Sequence, residues 1–280
     1  MLKAFVIATL PHSHYSTFIG VDLGGGKGKN TAVARLRVID PASADDTAAR
    51  VEVVDYGTGG DEPFYDEHLI SYLQGHPDAL VAMDAPLSLP ACVRCQLPMC
   101  PGATTCDVPI VKWFRDRELT HDDDRKKPRY TPYTQRATEV LLHEESSILP
   151  RETLGQGMGP LTARASYLER ALRAQFTLGK NFIEVYPKAS LVQLFGEKLV
   201  ARYKRSAESP AVRLDVLNRL TELRFAPGAW REDALVNDHK FDAIICAYTG
   251  YLYSRGSCVA PPSDLVEQDG WMWVPAPRTS

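Results

Sequence analysis

Two aspartates end two apolar runs of the sequence. Asp22 ends the run 18–22 and precedes a cluster of glycines, and Asp84 ends the run 79–84, shortly before a proline. An apolar run that stops at a carboxylate and then breaks predicts a buried strand that delivers the acid to the edge of a sheet. If the two strands are parallel neighbours, the acids lie about 5 Å apart, which is one inter-strand spacing. Two carboxylates so placed can share a hard divalent cation such as Mg²⁺ or Mn²⁺.

Two further acids occupy positions where a carboxylate needs an explanation. Glu184 lies within an apolar strand pattern, so its charge requires either a cation or an arginine as partner. Asp242 begins an apolar helical run four residues after Asp238, and is either a helix-cap carboxylate or another acid of the same metal site. His239 is either a proton shuttle or an exposed histidine without a role. A cation held by such acids favours phosphoryl transfer, because it neutralises phosphate oxygens and orients a water.

Four of the six cysteines fall within one short stretch. Their spacing is Cys92-x2-Cys95-x4-Cys100-x5-Cys106. Four thiolates can close on one Zn²⁺ or on an iron–sulfur cluster, and free or partly disulfide-bonded cysteines are the alternative. We interpret the set as a structural site that fixes a segment without a core of its own. Such clustering suits metal ligation in a reducing compartment, so a cytoplasmic protein is expected.

The composition is that of an ordinary globular protein. The chain has 280 residues, of which 44% are hydrophobic and 24% charged, with a net charge of -3. This charge argues against broad coating of nucleic acid but leaves room for a local basic face. No apolar run approaches the roughly 20 residues that span a bilayer, so no membrane association is expected. The apolar start at residues 4–10 is too short for a signal peptide and lacks a cleavage pattern.

The elements that position these residues follow from periodicity. Three strands at 18–22, 31–38 and 50–56 predict an antiparallel meander, and a helix at 63–74 is a crossover that makes strand 79–84 parallel to the first. Residues 87–160 interrupt this pattern and predict a Cys-rich helical insertion within a single domain, 1–280. The remaining predictions are helices at 109–119, 133–149, 161–178, 189–199, 210–225 and 241–253, a strand at 181–187 and a terminal strand or apolar cover at 271–274.

This order of elements is that of the ribonuclease-H-like fold, in which the first and fourth strands are neighbours. The sequence therefore predicts an α/β protein with a mixed five-stranded sheet flanked by helices. A match of architecture favours a function only through the site that the fold carries.

Several segments resemble the family called domain of unknown function 429, which is described as predicted nucleases with a ribonuclease-H-like fold. The segments that carry the resemblance are 19–22, 82–90, 133–139, 183–189 and 241–247. The resemblance implies that Asp22, Asp84 and Asp242 are the acids of the predicted active site, with Glu184 beside them. It also implies a metal-dependent hydrolase whose substrate is nucleic acid or a nucleotide.

Basic residues near these segments are candidates for binding the substrate backbone. They are Lys126, Lys127, Arg129 and Arg136. For each, a solvated surface position is the alternative. Arg136 lies one helical turn before Glu139, so it either forms a salt bridge with that residue or reaches a substrate phosphate.

Two other functions remain open. The stretch 22–25, Asp-Leu-Gly-Gly, also resembles the phosphate-binding opening of sugar kinases and actin-like ATPases, because glycines let backbone N–H groups approach phosphate. A second copy of the domain and a later adenosine-binding glycine pair are not evident, and Lys29 is not followed by Ser or Thr, which excludes a Walker A loop. The last alternative is a scaffold without activity, in which the acids and cysteines only hold structure.

Overall fold

The computed structural model describes residues 15–26, 30–39, 50–59, 63–119, 129–145, 148–229 and 231–277. Within these ranges the protein is α/β, with one mixed sheet flanked by helices. The strands are β1 (Thr17–Asp22), β2 (Ala32–Ile39), β3 (Arg50–Gly57), β4 (Leu80–Asp84), β5 (Phe182–Val185), β6 (Leu223–Phe225) and β7 (Met272–Trp273).

The sheet has seven strands in the order β6-β3-β2-β1-β4-β5-β7. β1, β2 and β3 pair antiparallel, as the meander pattern predicts, and β4 lies parallel to β1. β5 continues parallel to β4, while β7 and β6 add parallel edge strands next to β5 and β3. The prediction of five strands is therefore wrong. β7 lies in the predicted terminal segment, but β6 falls inside the predicted helix 210–225 because three residues are too few to show a period.

The helices are α1 (Asp66–Gln74), α2 (Ala91–Arg94), α3 (Pro109–Glu118), α4 (Ala137–Glu145), α5 (Gly159–Leu172), α6 (Pro187–Phe195), α7 (Glu197–Val200), α8 (Ser209–Arg219), α9 (Arg231–Val236), α10 (Asp238–Ser254) and α11 (Asp264–Asp269). The predicted helix 189–199 is broken into α6 and α7 at Gly196, whose φ of 80° lies in the left-handed region. The short helices α2, α9 and α11 have no counterpart in the sequence prediction, since each is too short for an amphipathic period.

Hydrophobic side chains cover both faces of the sheet. On β1, Phe18 belongs to the cluster around α10, whereas Ile19 and Val21 belong to a second cluster with α1 and α5. This alternation is the period of two that a strand imposes on its side chains. Residues of even number on β1 therefore face α10.

α10 lies unusually close to β1 because of a glycine. A Cβ atom added at Gly20 would lie 2.0 Å from the carbonyl oxygen of Ala243 and 2.3 Å from the amide nitrogen of Ala247. Only a residue without a side chain allows the helix backbone to approach the strand so closely. This contact fixes where α10 begins relative to the end of β1.

Between β4 and α5 the chain forms α2, α3 and α4 with long connections. Buried side chains of α3 and α4, including Phe114 and Leu141, belong to the same hydrophobic cluster as the α10 face of the sheet. Residues predicted as an insertion thus pack on the main core. Among the described residues, no helix is long and apolar enough to cross a membrane.

Candidate metal centre

The register of β1 and β4 places two of the acids side by side. Asp22 pairs directly with Asp84 across the two parallel strands, which confirms the neighbour relation predicted from the two apolar runs. Asp22 shares its strand face with Phe18, and Asp84 shares its face with Leu80, and both of these apolar side chains belong to the cluster around α10. Both carboxylates are therefore directed to the same side of the sheet, toward the N-terminal part of α10.

α10 supplies the third acid. Carboxylate oxygens of Asp22, Asp84 and Asp242 all lie within 4.8 Å of one another, and no other set of three His, Cys, Asp or Glu ligand atoms among the described residues meets this distance. The helix-cap interpretation of Asp242 is wrong, because Asn237 is the N-cap and its side chain accepts the N–H groups of His239 and Lys240. Asp242 lies on the second turn, where its side chain is free to face the two strand ends.

Two basic side chains contact the acids. His239 Nδ1 lies 2.6 Å from Asp22 Oδ2, and the Lys204 ammonium forms an ion pair with Asp242. The hydrogen bond to Asp22 raises the pKa of His239. Burial lowers the pKa of Lys204, but the carboxylate of Asp242 outweighs burial, so the net shift is upward and the lysine is charged. The charge of Lys204 thus offsets part of the charge of the three acids.

The acids themselves are strained electrostatically. Burial, followed by repulsion from Asp22 and Asp242, raises the pKa of Asp84 well above its ordinary value. Burial also raises the pKa of Asp242 to about 7, with the repulsion of Asp22 adding to burial and the charge of Lys204 opposing it. A carboxyl group so close to other carboxylates keeps its proton unless further positive charge is supplied nearby.

The donor set fits a hard divalent cation. The Lys204 ammonium contacts Oδ2 of Asp242, whereas the buried Oδ1 has no hydrogen-bond partner among the described residues. No described residue donates a hydrogen bond to Asp84. Buried oxygens left without donors are costly, and carboxylate oxygens are the ligands that Mg²⁺ and Mn²⁺ prefer. These three residues would therefore hold such an ion.

Two of the acids, Asp22 and Asp84, open onto a cavity of about 290 Å³. Its lining includes Asp22, Asp84, Glu184, Tyr186, Arg151 and Lys204. Arg151 and Lys204 carry no signal in the sequence, since both lie in irregular connections. The one argument that could have predicted basic residues here is general: three acids that converge need positive charge nearby. The cavity combines an acidic floor with basic groups on its wall.

Glu184 has an arginine as its partner. Arg136 makes two hydrogen bonds to the carboxylate, 2.7 Å from Nη1 to Oε2 and 2.6 Å from Nη2 to Oε1, and Leu87 N donates a third of 2.8 Å. Glu184 shares its strand face with Phe182, on the opposite side of the sheet from the side of the three aspartates. Of the two partners predicted for Glu184, the arginine is the one observed, and Glu184 is not among the acids that converge.

Arg136 is a buried structural residue. Its side chain has no exposed surface, and its Nε also donates to Glu139 over 2.9 Å. The salt-bridge interpretation of Arg136 is the observed one: its guanidinium is held by Glu139 and Glu184, although the residue also borders the acidic cavity. Arg129 is partly buried, does not line the cavity, and donates its backbone N–H to Glu118. Lys126 and Lys127 lie outside the described residues.

The glycines after β1 are held by side chains of the protein. The N–H of Gly24 donates to Thr31 Oγ1 over 3.1 Å, and its carbonyl accepts a hydrogen bond of 2.7 Å from the buried Arg164. Arg164 is in turn paired with Asp66 at 2.7 Å. The backbone N–H of Gly24 is thus already used within the protein.

Fold and site together define an α/β protein with three convergent aspartates at the edge where parallel strands β1 and β4 end. A family model described as a protein of unknown function (DUF429) matches residues 20–266, and the chain belongs to this family. Comparisons with curated proteins and with solved structures gave no match.

Proposed function

We propose that the protein is a Mg²⁺- or Mn²⁺-dependent phosphodiesterase or nuclease that acts on nucleic acid or a nucleotide. The observation that carries this proposal is the convergence of three carboxylates within 4.8 Å, two of them lining a cavity, with Asp242 Oδ1 buried and without a donor among the described residues. A purely structural cluster of acids is expected to be satisfied by hydrogen bonds, because unsatisfied buried oxygens are costly.

The arrangement of the sheet supports a ribonuclease-H-like fold. The meander β1–β3 is followed by the crossover helix α1 and the parallel strands β4 and β5, and the site lies where β1 and β4 end side by side. The additional edge strands β6 and β7 do not change the order β3-β2-β1-β4-β5 at the centre of the sheet.

The residues of the cavity have distinct parts in this proposal. Asp22, Asp84 and Asp242 hold the ion, and His239 orients the carboxylate of Asp22 through its hydrogen bond. Lys204 and Arg151 supply positive charge on the wall, where a phosphodiester is bound. When bound, the ion supplies electrostatic stabilisation of the charge that develops on the phosphoryl oxygens.

The kinase-like alternative is weakened by the glycine turn. A phosphate-binding hairpin offers its backbone N–H groups to the ligand, whereas the N–H of Gly24 is donated to Thr31. The scaffold alternative is weakened by the cavity, because acids that only hold structure have no reason to open onto space for a ligand, as Asp22 and Asp84 do.

The test compares wild type with Asp22→Asn and Asp84→Asn on labelled single- and double-stranded DNA and RNA in the presence of Mn²⁺. We expect cation-dependent cleavage by wild type and a loss of at least about 100-fold in each variant, since each removes a group that acts in the transition state. Asp215→Asn is the matched control, because Asp215 is half-buried on α8 and pairs with Arg219 at 3.0 Å.

Other outcomes would decide against the proposal. Equal cleavage by wild type and both variants would assign the activity to a contaminant. Release of phosphate from ATP, with no cleavage of nucleic acid, would favour the kinase-like alternative. Absence of any turnover together with unchanged melting in Mn²⁺ would favour the scaffold.

A further inference from the structure

The four clustered cysteines surround a second cavity, distinct from the acidic one. Its volume is about 140 Å³, and Cys92, Cys95, Cys100 and Cys106 all line it, together with apolar residues such as Val111. The cysteines come from separate places: α2, the residue that caps α2, the following loop, and the approach to α3. None of the four is in a disulfide.

The loop that carries these thiols has little else to fix it. Between α2 and α3 the chain has no helix or strand, and Cys106 is the only buried residue of the range 95–108. Leu97 and Met99 are exposed there, the latter by 82%. Ordering such a loop costs conformational entropy that burial of one side chain does not offset. A cross-link between its cysteines would supply the missing stabilisation.

One hydrogen bond in the loop goes to a cysteine sulfur, and three others hold the backbone around the cavity. The N–H of Leu97 donates to Cys95 Sγ over 3.5 Å. Arg115 Nη1 donates to the carbonyls of Ala103, Thr104 and Cys106 over 3.3, 3.1 and 3.0 Å, which holds the chain around the cavity. N–H groups directed at sulfur stabilise the charged thiolate, and such outer contacts accompany the ligands of metal sites.

The thiols are also within electrostatic reach of one another. All four cysteine side chains line the same cavity of about 140 Å³. Four thiolates gathered in this way repel each other unless a cation lies between them. In the structure the sulfurs surround the cavity without closing on one point, since only the three aspartates bring three ligand atoms within 4.8 Å among the described residues.

We propose that Cys92, Cys95, Cys100 and Cys106 form a structural Zn²⁺ site. Zinc bound by four thiolates is tetrahedral with Zn–S bonds of about 2.3 Å, so binding would draw the sulfurs inward to fill the cavity. Four protein ligands leave no open position for substrate, which makes the role structural. The set contains only sulfur donors, whereas the acidic site contains only oxygen donors, so the two sites select different ions.

The zinc site is connected to the interior beside the acidic cavity. Arg94 of α2 donates to the Asp269 carboxylate over 2.6 Å, and the other oxygen of that carboxylate accepts the N–H of Ala137 at 2.8 Å. Ala137 directly follows Arg136, which holds Glu184. Fixing α2 therefore helps to fix the start of α4 and the arginine there.

The experiment begins with elemental analysis of the full chain, purified under reducing conditions without chelator. We expect about one zinc per chain in wild type, in Asp84→Asn, and in the control Cys258→Ala, whose cysteine is buried elsewhere. Cys95→Ser and Cys100→Ser should each lose most of the zinc. Both positions are exposed, so neither substitution by itself disturbs the core.

Cobalt and thiol reactivity give readouts that do not depend on activity. Zinc has no spectrum of its own, so Co²⁺ is loaded into chelator-treated protein, and we expect the intense visible bands of tetrahedral thiolate coordination, absent in Cys100→Ser. Exposed Cys95 and Cys100 should react with a thiol reagent only after zinc is removed.

Three results would overturn the zinc assignment. They are a protein without bound metal whose exposed thiols react at once, iron with acid-labile sulfide in place of zinc, or zinc that remains in both serine variants. Loss of nuclease activity in Asp84→Asn with zinc retained would separate the two sites. Full zinc content in a protein without any nuclease activity would leave this inference standing while removing the proposed function.

Discussion

The three aspartates place a large electrostatic cost on the metal-free protein. Two ionised carboxylates about 5 Å apart repel by roughly 3 kcal/mol at an effective dielectric constant near 20. Asp84 has no hydrogen-bond donor among the described residues, so replacing it with a neutral residue removes this repulsion, or the cost of keeping Asp84 protonated, without breaking a hydrogen bond. The site is therefore maintained at the expense of stability, as is common where function requires charges to converge.

We predict that Asp84→Asn melts at or above wild type in chelator and below it in saturating Mn²⁺. The variant lacks the repulsion but also lacks a ligand, and an ion that binds only the folded state stabilises by mass action. Thermal unfolding with and without Mn²⁺ measures both effects. If the variant is less stable in chelator and responds to Mn²⁺ like wild type, Asp84 is a structural residue and the site is wrong.

The raised pKa values predict a particular dependence of stability on pH. In the metal-free protein Asp242 keeps its proton up to a pKa of about 7, whereas the unfolded chain releases it near the ordinary pKa of 3.8. The folded state thus binds more protons between these limits, so this contribution to the free energy of unfolding is lost as pH rises through about 7. The loss is roughly 4 kcal/mol at most for this group. His239, with its raised pKa, acts in the same direction.

Thermal melts in chelator across about pH 5 to 8 measure this effect, with Asp242→Asn as the variant in which it should be flattened. Because a cation competes with the proton, stabilisation by Mn²⁺ should be small at the acid end and large above pH 7. If the stability of wild type in chelator depends on pH in the same way as that of Asp242→Asn, the raised pKa of Asp242 is contradicted.

At the scale of elements, the approach of α10 to β1 positions Asp242. We predict that Gly20→Ala destabilises the protein by about 3 kcal/mol or more, because its Cβ would overlap the helix backbone at Ala243 and Ala247. The displacement of α10 should also weaken Mn²⁺ binding, measured by the shift in melting temperature. Gly25→Ala is the control, since no atom lies within 4 Å of a Cβ at that position. Equal stability of both variants would show that α10 can move without cost.

The element scale also separates what the sequence could predict from what it could not. The pattern of β1 and β4 predicted both the neighbour relation and the two acids, because an apolar run and its terminal carboxylate are local features. Glu184 was predicted to join them, yet it faces the other side of the sheet. Its face follows from the pairing of Met83 with Glu184, and register is a tertiary property that one strand alone does not encode.

At the scale of the whole molecule, Arg136 joins parts of the chain that are distant in sequence. It directly precedes α4, in the segment between β4 and α5. Its guanidinium holds Glu184 of β5 and donates to Ser88 over 2.9 Å. Ser88 in turn donates to the carbonyl of Asp269, at the end of α11. Helical spacing gave the pair of Arg136 with Glu139 as one of two alternatives, the other being a contact with a substrate phosphate. The longer connections were not predictable, since they depend on three elements meeting in space.

We predict that Arg136→Met and Glu184→Gln each lower the free energy of unfolding by about 3–5 kcal/mol, because each leaves a buried charged partner without compensation. The double variant should cost less than the sum by about 1–3 kcal/mol, since the second substitution removes the charge that the first left unpaired. Denaturant unfolding of wild type, the two single variants and the double variant measures this coupling energy. Arg173→Met is the control, an exposed residue paired with Glu169, and should change stability by no more than about 1 kcal/mol. If instead Glu184→Gln is fully stable and loses only activity, Glu184 acts in catalysis and the buried pair is not what holds these elements together.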